Sequence, residues 1–311
     1  MQKVSEMKKL IPLLLLIILL AGCAKSDNTK SDKLQIVAID FPSYDAARFL
    51  LSDEAELSLL LPPGSDMHHY DPTPKDMIKV SNADLVIFTG GESDEWVYRI
   101  LESTESESYF TLISAVELLN EEHVEGMELE EEEEGEEIDE HVWTSPINEI
   151  SILSSLSDKL TLLTGDDVYK ERFEVVEEEL RALDEEFRAI VDKATLKTLI
   201  FASRFPLRYF FEEYGLKYYA AFPGCAEESE PSAKTVAFLI DKAKELDVPL
   251  VLNIELSSSL IANTIAREAG VKVRTFNSIH NVTPEEFNRG ENYITLMRQN
   301  AVVLKEALRV D

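Results

Sequence analysis

Between Asp166 and Ala194 the apolar residues Phe173, Val176, Leu180, Leu183, Phe187 and Ile190 return at alternating intervals of three and four. That period places all six on one face of a single amphipathic helix. At about 1.5 Å per residue the helix is roughly 40 Å long, the span of a whole domain. A rigid rod of that length in mid-chain leaves two arrangements. Its stripe packs against flanking domains as a strut, or it pairs with a second copy as a coiled coil. The strut is the expectation here, because the rod lies between two regions that each read as a domain needing a surface to rest on.

On both sides of the rod short apolar runs alternate with helical periodicity, as in α/β domains. Before it, Leu34–Ile39, Leu57–Leu61, Leu85–Phe88 and Tyr109–Ile113 read as strands, with helices over Tyr44–Leu51, Pro74–Val80 and Glu95–Leu101. Thr73 as cap and Pro74 in the first turn open the second of these helices. After the rod the scheme repeats, with strands at Leu199–Ala202, Lys217–Ala220, Leu250–Ile254 and Val271–Phe276 and helices at Ser232–Leu246 and Ser259–Ala269. The expected fold is α/β: two α/β lobes with central sheets, residues 34–165 and 195–311, bridged by one long rigid helix over residues 166–194. Ligands of open α/β sheets collect at the carboxyl ends of strands.

The first 22 residues belong to another category. Lys3, Lys8 and Lys9 precede the apolar run Leu10–Leu20, which is broken only by Pro12 and followed by Ala21-Gly22-Cys23. The run is too short to span a bilayer comfortably, and small residues before a cysteine form a lipobox. Residues 1–22 are therefore read as a lipoprotein signal peptide, Cys23 as the lipid-bearing residue and residues 23–33 as a flexible stalk. This places the body on the extracytoplasmic face of the cell membrane. Cys225 is then the only remaining thiol, which prevents an internal disulfide and argues against a cysteine-rich metal site.

With 60 acidic and 30 basic side chains the formal charge is −30. Neutralising phosphates requires clustered Lys and Arg, so nucleic acid is excluded as a partner, and so is electrostatic adhesion to anionic lipid. The acid is concentrated: residues 121–140 carry 13 Asp and Glu and no Lys or Arg. Such a block repels itself, so residues from about Asn120 to Ile138 are expected to be a disordered loop. Its role is either to solubilise or, with His123 among its carboxylates, to collect divalent cations loosely beside a site.

Two stretches carry the chemistry. Gly64-Ser65-Asp66-Met67-His68-His69-Tyr70-Asp71-Pro72 and Asp139-Glu140-His141-Val142-Trp143-Thr144-Ser145-Pro146 hold three of the five histidines. In each, an aspartate stands two residues before a histidine, and an aromatic residue and a proline follow. Neutral imidazole offers one ring nitrogen to a metal while the other donates to an orienting acceptor. Asp66 and Asp139 are candidate acceptors for His68 and His141. A single loop histidine is more often solvated than ligating; the repetition of the arrangement is what points to a metal.

These motifs, with Pro62-Pro63-Gly64 before the first, a charged loop before the second, the long helix, Tyr214-Gly215-Leu216 and Glu230-Pro231-Ser232, resemble the zinc and manganese solute-binding lipoproteins of ABC importers. The resemblance runs from about Leu34 to the C-terminus. It implies one metal in the cleft between two lobes, with His68 and His141 as ligands from the first. The second lobe departs from the family pattern. Arg204 stands where zinc binders usually carry a third histidine, and arginine, always protonated, cannot bind a metal. Asn277 stands where the family places an aspartate. His280, just past a strand end on the same loop, is the expected third ligand. Glu228 is the candidate fourth, with Glu230, Glu255 or a water left open, and Arg204 would orient one of these carboxylates alongside the roles given to Asp66 and Asp139.

The implied role is a monomeric receptor that captures Zn2+ and delivers it to an ABC permease and its ATPase, without catalysis. Imidazole donors suit zinc, whereas manganese, the near alternative, is better served by carboxylate oxygens. A surface zinc hydrolase is a different class of reading, but the His-Glu-x-x-His pattern is missing. An adhesin has no signal here beyond surface anchoring.

Overall fold

One strand topology occurs twice. The computed structural model describes residues 33–65, 70–127, 137–224 and 230–310. In the first half β1 (Leu34–Ala38), β2 (Ala55–Leu59), β3 (Leu85–Phe88) and β4 (Tyr109–Thr111) form an all-parallel sheet in the order β2-β1-β3-β4. In the second, β5 (Thr198–Ile200) pairs with β6 (Lys217–Tyr219) and β7 (Leu250–Ile254) with β8 (Lys272–Phe276), all parallel. A parallel bridge between Phe201 and Leu252 sets β5 beside β7, so the order is β6-β5-β7-β8. In both halves the order reverses beside the first strand, and the loops leaving that point are the natural binding crevice of such sheets.

The helices of the first half are α1 (Phe41–Leu50), α2 (Pro74–Asn82), α3 (Glu95–Ser103) and α4 (Pro146–Thr164). α5 (Val168–Lys193) is the predicted rod, and α6 (Arg208–Tyr214), α7 (Ala233–Glu245), α8 (Ser259–Ala269), α9 (Pro284–Arg289) and α10 (Tyr293–Leu308) complete the second half. The start signal at Thr73 acts as read, forming a capping box with Asp76 before Pro74; Ser145, not read as a cap, does the same work for α4 ahead of Pro146.

Strand residues alternate between two faces. Ile36, Leu85 and Ile87 of the first sheet, and Leu199, Phe201, Leu250 and Leu252 of the second, face one common core with the α5 residues Leu180, Leu183 and Phe187. Val37, Val86 and Phe88 build a smaller core on the far side of the first sheet; Ile200, Ala202 and Val251 do the same for the second. α5 packs on α1 and α4 from the first half and on α6 and α10 from the second. It is the strut.

α4, α6, α9 and α10 are absent from the elements read in the sequence. The apolar residues of α4, including Ile150, Ile152, Leu153, Leu156 and Leu160, lie on more than one face because the helix is wedged between α1 and α5, so its amphipathic signal is weak. The expected strand Tyr109–Ile113 stops at Thr111 and tightens into a 3-10 turn over Leu112–Ala115.

The acidic segment also corrects the reading. Disorder was expected from about 120 to 138, but the base of the loop is built into the fold. Asn120 and Ile138 form an antiparallel bridge, Glu121 N donates to Glu137 O at 2.8 Å, and Val124 and Met127 pack on the common core. These apolar side chains between the glutamates provide the anchor that net charge alone obscures. His123 is exposed, and residues 128–136 lie outside the described set. Cys23 with the whole signal and stalk up to residue 32, Asp66, His68 and His69, and Cys225 and Glu228 lie outside it too. Among the described residues no helix is long and apolar enough to cross a membrane.

Candidate metal centre

His141 stands between the first sheet and α4. Asp139 Oδ1 accepts both the backbone N–H of His141, at 2.8 Å, and its ring, at 3.0 Å from Nδ1. The carboxylate therefore fixes the proton on Nδ1 and turns Nε2, which is buried, into the electron-pair donor. The second half steadies Asp139: Tyr209 donates its hydroxyl to Asp139 O at 2.9 Å. After His141 the chain makes a 3-10 turn over Val142–Thr144, which buries Trp143 and leads through Ser145 into α4.

His280 approaches from the other half. Its loop follows β8 and is clamped at Asn277, Ser278, His280 and Asn281. Asn300 of α10 accepts Asn277 N at 2.7 Å and donates to Asn277 O at 2.7 Å. Glu255, one residue past β7, accepts Ser278 N at 2.7 Å, Ser278 Oγ at 2.7 Å and His280 N at 3.0 Å. Between them Ile279 adopts φ +61°. A β-branched residue in that region is strained by about 1–3 kcal/mol and persists only where its surroundings over-determine it. Three bonds tie the loop to the first half: Trp143 Nε1 donates to Ser278 O at 2.9 Å, and Asn281 Nδ2 donates to Ser65 O at 2.7 Å and Pro62 O at 3.2 Å.

These clamps bring His141 and His280 together, edge to face, with ring centroids 5.3 Å apart and planes at 84°. His280 Nε2 is buried as well. Two imidazoles on one tetrahedral zinc, each about 2.0 Å from it and about 3.2 Å from metal to ring centre, would have centroids about 5.2 Å apart. The observed spacing fits. His68 and Asp66 lie outside the described residues, although Ser65, immediately before them, is held by Asn281 beside His280. Among the described residues alone no group of three or more His, Cys, Asp or Glu is arranged to hold a metal ion.

Asn277 and Glu255 turn away from ligation. The Asn277 carboxamide faces Asn300 at 3.3 Å. Glu255, whose carboxyl is pushed above its ordinary range by burial, spends its oxygens on the loop. Arg204 is buried, bridges Phe222 in parallel and shares with His280 and Glu255 the wall of a cavity of about 120 Å³. On its other side it lines a cavity of about 170 Å³ together with Glu230.

Behind His141 lies a buried acidic layer, of which the sequence reading took in only Glu140, within the second motif. Asp40, at the end of β1, accepts Ser43 N, Thr89 N and Thr89 Oγ1. Asp94 accepts Gly90 N at 2.8 Å. Glu140 accepts Ser93 N at 3.3 Å and fills the space where a side chain on Gly91 would lie. Burial raises all three carboxyls, and for Asp94 the neighbouring Asp40 adds to the effect. For Asp40 and Asp94 the only signal in the sequence was position after a strand's carboxyl end.

A family model described as the periplasmic zinc-uptake complex component A matches residues 36–307. The zinc-binding lipoprotein AdcA of Streptococcus pneumoniae serotype 4 is 30% identical over 309 residues, covering 96% of this chain and 61% of that protein. The chain thus spans about three fifths of that relative's length. The high-affinity zinc uptake system protein ZnuA of Bacillus subtilis strain 168 is also 30% identical, over 94% of this chain and 95% of its own. The crystal structure of the Zn(II)-bound ZnuA-like domain of Streptococcus pneumoniae AdcA superimposes with a TM-score of 0.75 at 28% identity, covering 89% of this chain and 99% of that one.

Proposed function

The chain belongs to the zinc-uptake complex component A family, and we propose on that footing that it is an extracytoplasmic, lipid-anchored receptor that binds one Zn2+ and delivers it to an ABC permease and its ATPase. The observation that carries the reading is the buried meeting of His141 and His280 at a spacing suited to one tetrahedral ion, with Asp139 fixing the His141 tautomer. His68 supplies the third imidazole. Glu228 or a water completes the tetrahedron, and Arg204 orients the carboxylate from the cavity wall.

The lobes 34–165 and 195–311, joined by the helix of 166–194, form the two walls of the cleft. Imidazole donors select zinc over manganese, because the harder ion prefers carboxylate oxygens. The relatives' printed names support zinc as cargo, lipoprotein anchoring and uptake. The receptor binds and releases its ion unchanged, acts as a monomer and is attached through Cys23.

The test is competition of the purified mature chain against a chelator of known affinity, with zinc and with manganese. Zinc should bind one to one and more tightly than manganese. His280→Ala should weaken zinc by orders of magnitude and reduce the zinc-dependent rise in melting temperature, since a ligand at free concentration c stabilises by RT ln(1 + c/Kd). A His280→Ala protein that holds zinc as tightly as the parent refutes the ligand set.

A further inference from the structure

We propose that Glu255 aims His280 at the ion, a positioning role exerted through the loop that carries the histidine, with no bond between its carboxylate and the metal. The inference rests on the reading of His280 as a ligand.

Both histidines of the meeting pair are held in the same manner, though by different elements. In the first half a carboxylate accepts the ligand's own backbone N–H, His141 N to Asp139 Oδ1 at 2.8 Å. In the second, His280 N reaches Glu255 Oε1 at 3.0 Å. Asp139 stands two residues from its histidine, whereas Glu255 lies 25 residues away, at the end of the neighbouring strand. Sequence proximity therefore reveals the first and conceals the second.

A carboxylate has about four lone-pair positions. Ser278 N, Ser278 Oγ and His280 N occupy three of them on Glu255. That leaves a poor ligand and a strong brace. The brace also holds strain: Ile279, at φ +61° and fully buried, lies between the two residues that Glu255 grips. Asn300 fixes the chain before this segment, and Asn281 fixes it after. Without the carboxylate Ser278 is still held at its O by Trp143 Nε1, so the freedom returned to the loop is confined to Ile279 and His280. Relaxation of Ile279 toward negative φ turns the peptide that precedes His280 and carries its ring off the ion.

The experiment compares zinc affinity by chelator competition in the parent, Glu255→Gln, His280→Ala and the double variant, and follows the ring nitrogens by NMR of 15N-histidine protein. Glu255→Gln should weaken zinc about 10- to 100-fold, the usual range for a group that orients a ligand. The double variant should bind no more weakly than His280→Ala alone, and the zinc-induced shift of His280 Nε2 should be lost in Glu255→Gln. Ser278→Ala, which removes one loop donor and leaves the carboxylate in place, should weaken zinc by a smaller factor and provides the test if Glu255→Gln does not fold.

Parent-like affinity in Glu255→Gln and Ser278→Ala overturns the proposal. Independent, multiplicative losses in the double variant, with the His280 shift intact in Glu255→Gln, would make Glu255 a ligand in its own right and also overturn it. A His280→Ala protein of parental affinity sinks the ligand reading, and the positioning role with it.

Discussion

Gly91 is the position where one added methyl group should do the most harm for the least chemical change. Its φ of −83° is open to any residue, so Gly91→Ala introduces no backbone strain. By itself such a change normally stabilises a protein by about 0.4–1 kcal/mol, through the unfolded chain. Here the new Cβ would lie 2.0 Å from Cδ and Oε1 of Glu140 and 2.4 Å from its Cγ. Carbon contacts are optimal at about 3.5–4.0 Å, so the Glu140 side chain has to move by about 1.5 Å or more. It is 5% exposed and has little room to do so. Overpacking of this kind costs about 1–3 kcal/mol and loss of the Ser93 N–H bond adds about 1 kcal/mol; less the gain through the unfolded chain, the variant should be destabilised by about 1–3.5 kcal/mol. Urea unfolding of the metal-free protein measures it. Combining Gly91→Ala with Glu140→Ala should recover most of the loss, a coupling of about 2 kcal/mol, because the clash has a single partner. Zinc binding should weaken in Gly91→Ala, since Glu140 adjoins His141. A Gly91→Ala protein as stable as its parent, or one showing no coupling to Glu140, would refute the argument.

Asp139→Asn should lower zinc affinity about 10- to 100-fold while leaving the fold intact, because an amide no longer specifies which His141 nitrogen carries the proton; titration at fixed pH decides it, and an unchanged Kd would show the tautomer to be set elsewhere. Asp45 of α1 is buried, and burial raises its carboxyl to about 6 against the opposing effects of Arg48 and of Tyr293 N, which it accepts at 2.6 Å. A carboxyl raised in the folded state contributes stability that is present below its unfolded pKa near 4 and lost as pH rises through about 6. At about 1.4 kcal/mol per unit, Asp45→Asn should gain about 3 kcal/mol relative to the parent between pH 4 and pH 7, measured by urea unfolding at both pH values; a flat difference refutes it. Deleting residues 128–136, beyond the packed base of the acidic loop, should leave the tightest site's affinity and the melting temperature unchanged and remove weak, salt-sensitive extra zinc binding. Extra zinc that survives the deletion would count against a collecting role.

Local signals carried most of the fold. Periodicity found α5 because its stripe is single-faced, and Leu85–Phe88, Leu250–Ile254 and Ser259–Ala269 match their elements to the residue. It failed for α4, whose apolar residues face two neighbours at once. At the site, Asp139 was legible because it lies two residues from the histidine it orients. Glu255 and Asn300 were not: both act across long sequence separations, and only the register of β7 against β8 and the packing of α10 on β8 bring them to the His280 loop. The acidic loop misled in the opposite sense. Its charge hid Val124 and Met127, which pin its base to the core.

The common core bears on how this architecture can be cut and recombined. The inner faces of both sheets pack into one apolar mass with α5, so neither half has a finished interior of its own. A fragment ending at the long helix would strip α6 and α10 from α5 and leave that part of its stripe open to water. The chain should therefore unfold in a single transition, and a hybrid joining one half to the other half of a relative has to match side-chain volumes along the whole shared seam. The outer layers around Val86 and Val251 are the parts that can be exchanged without disturbing the partner half.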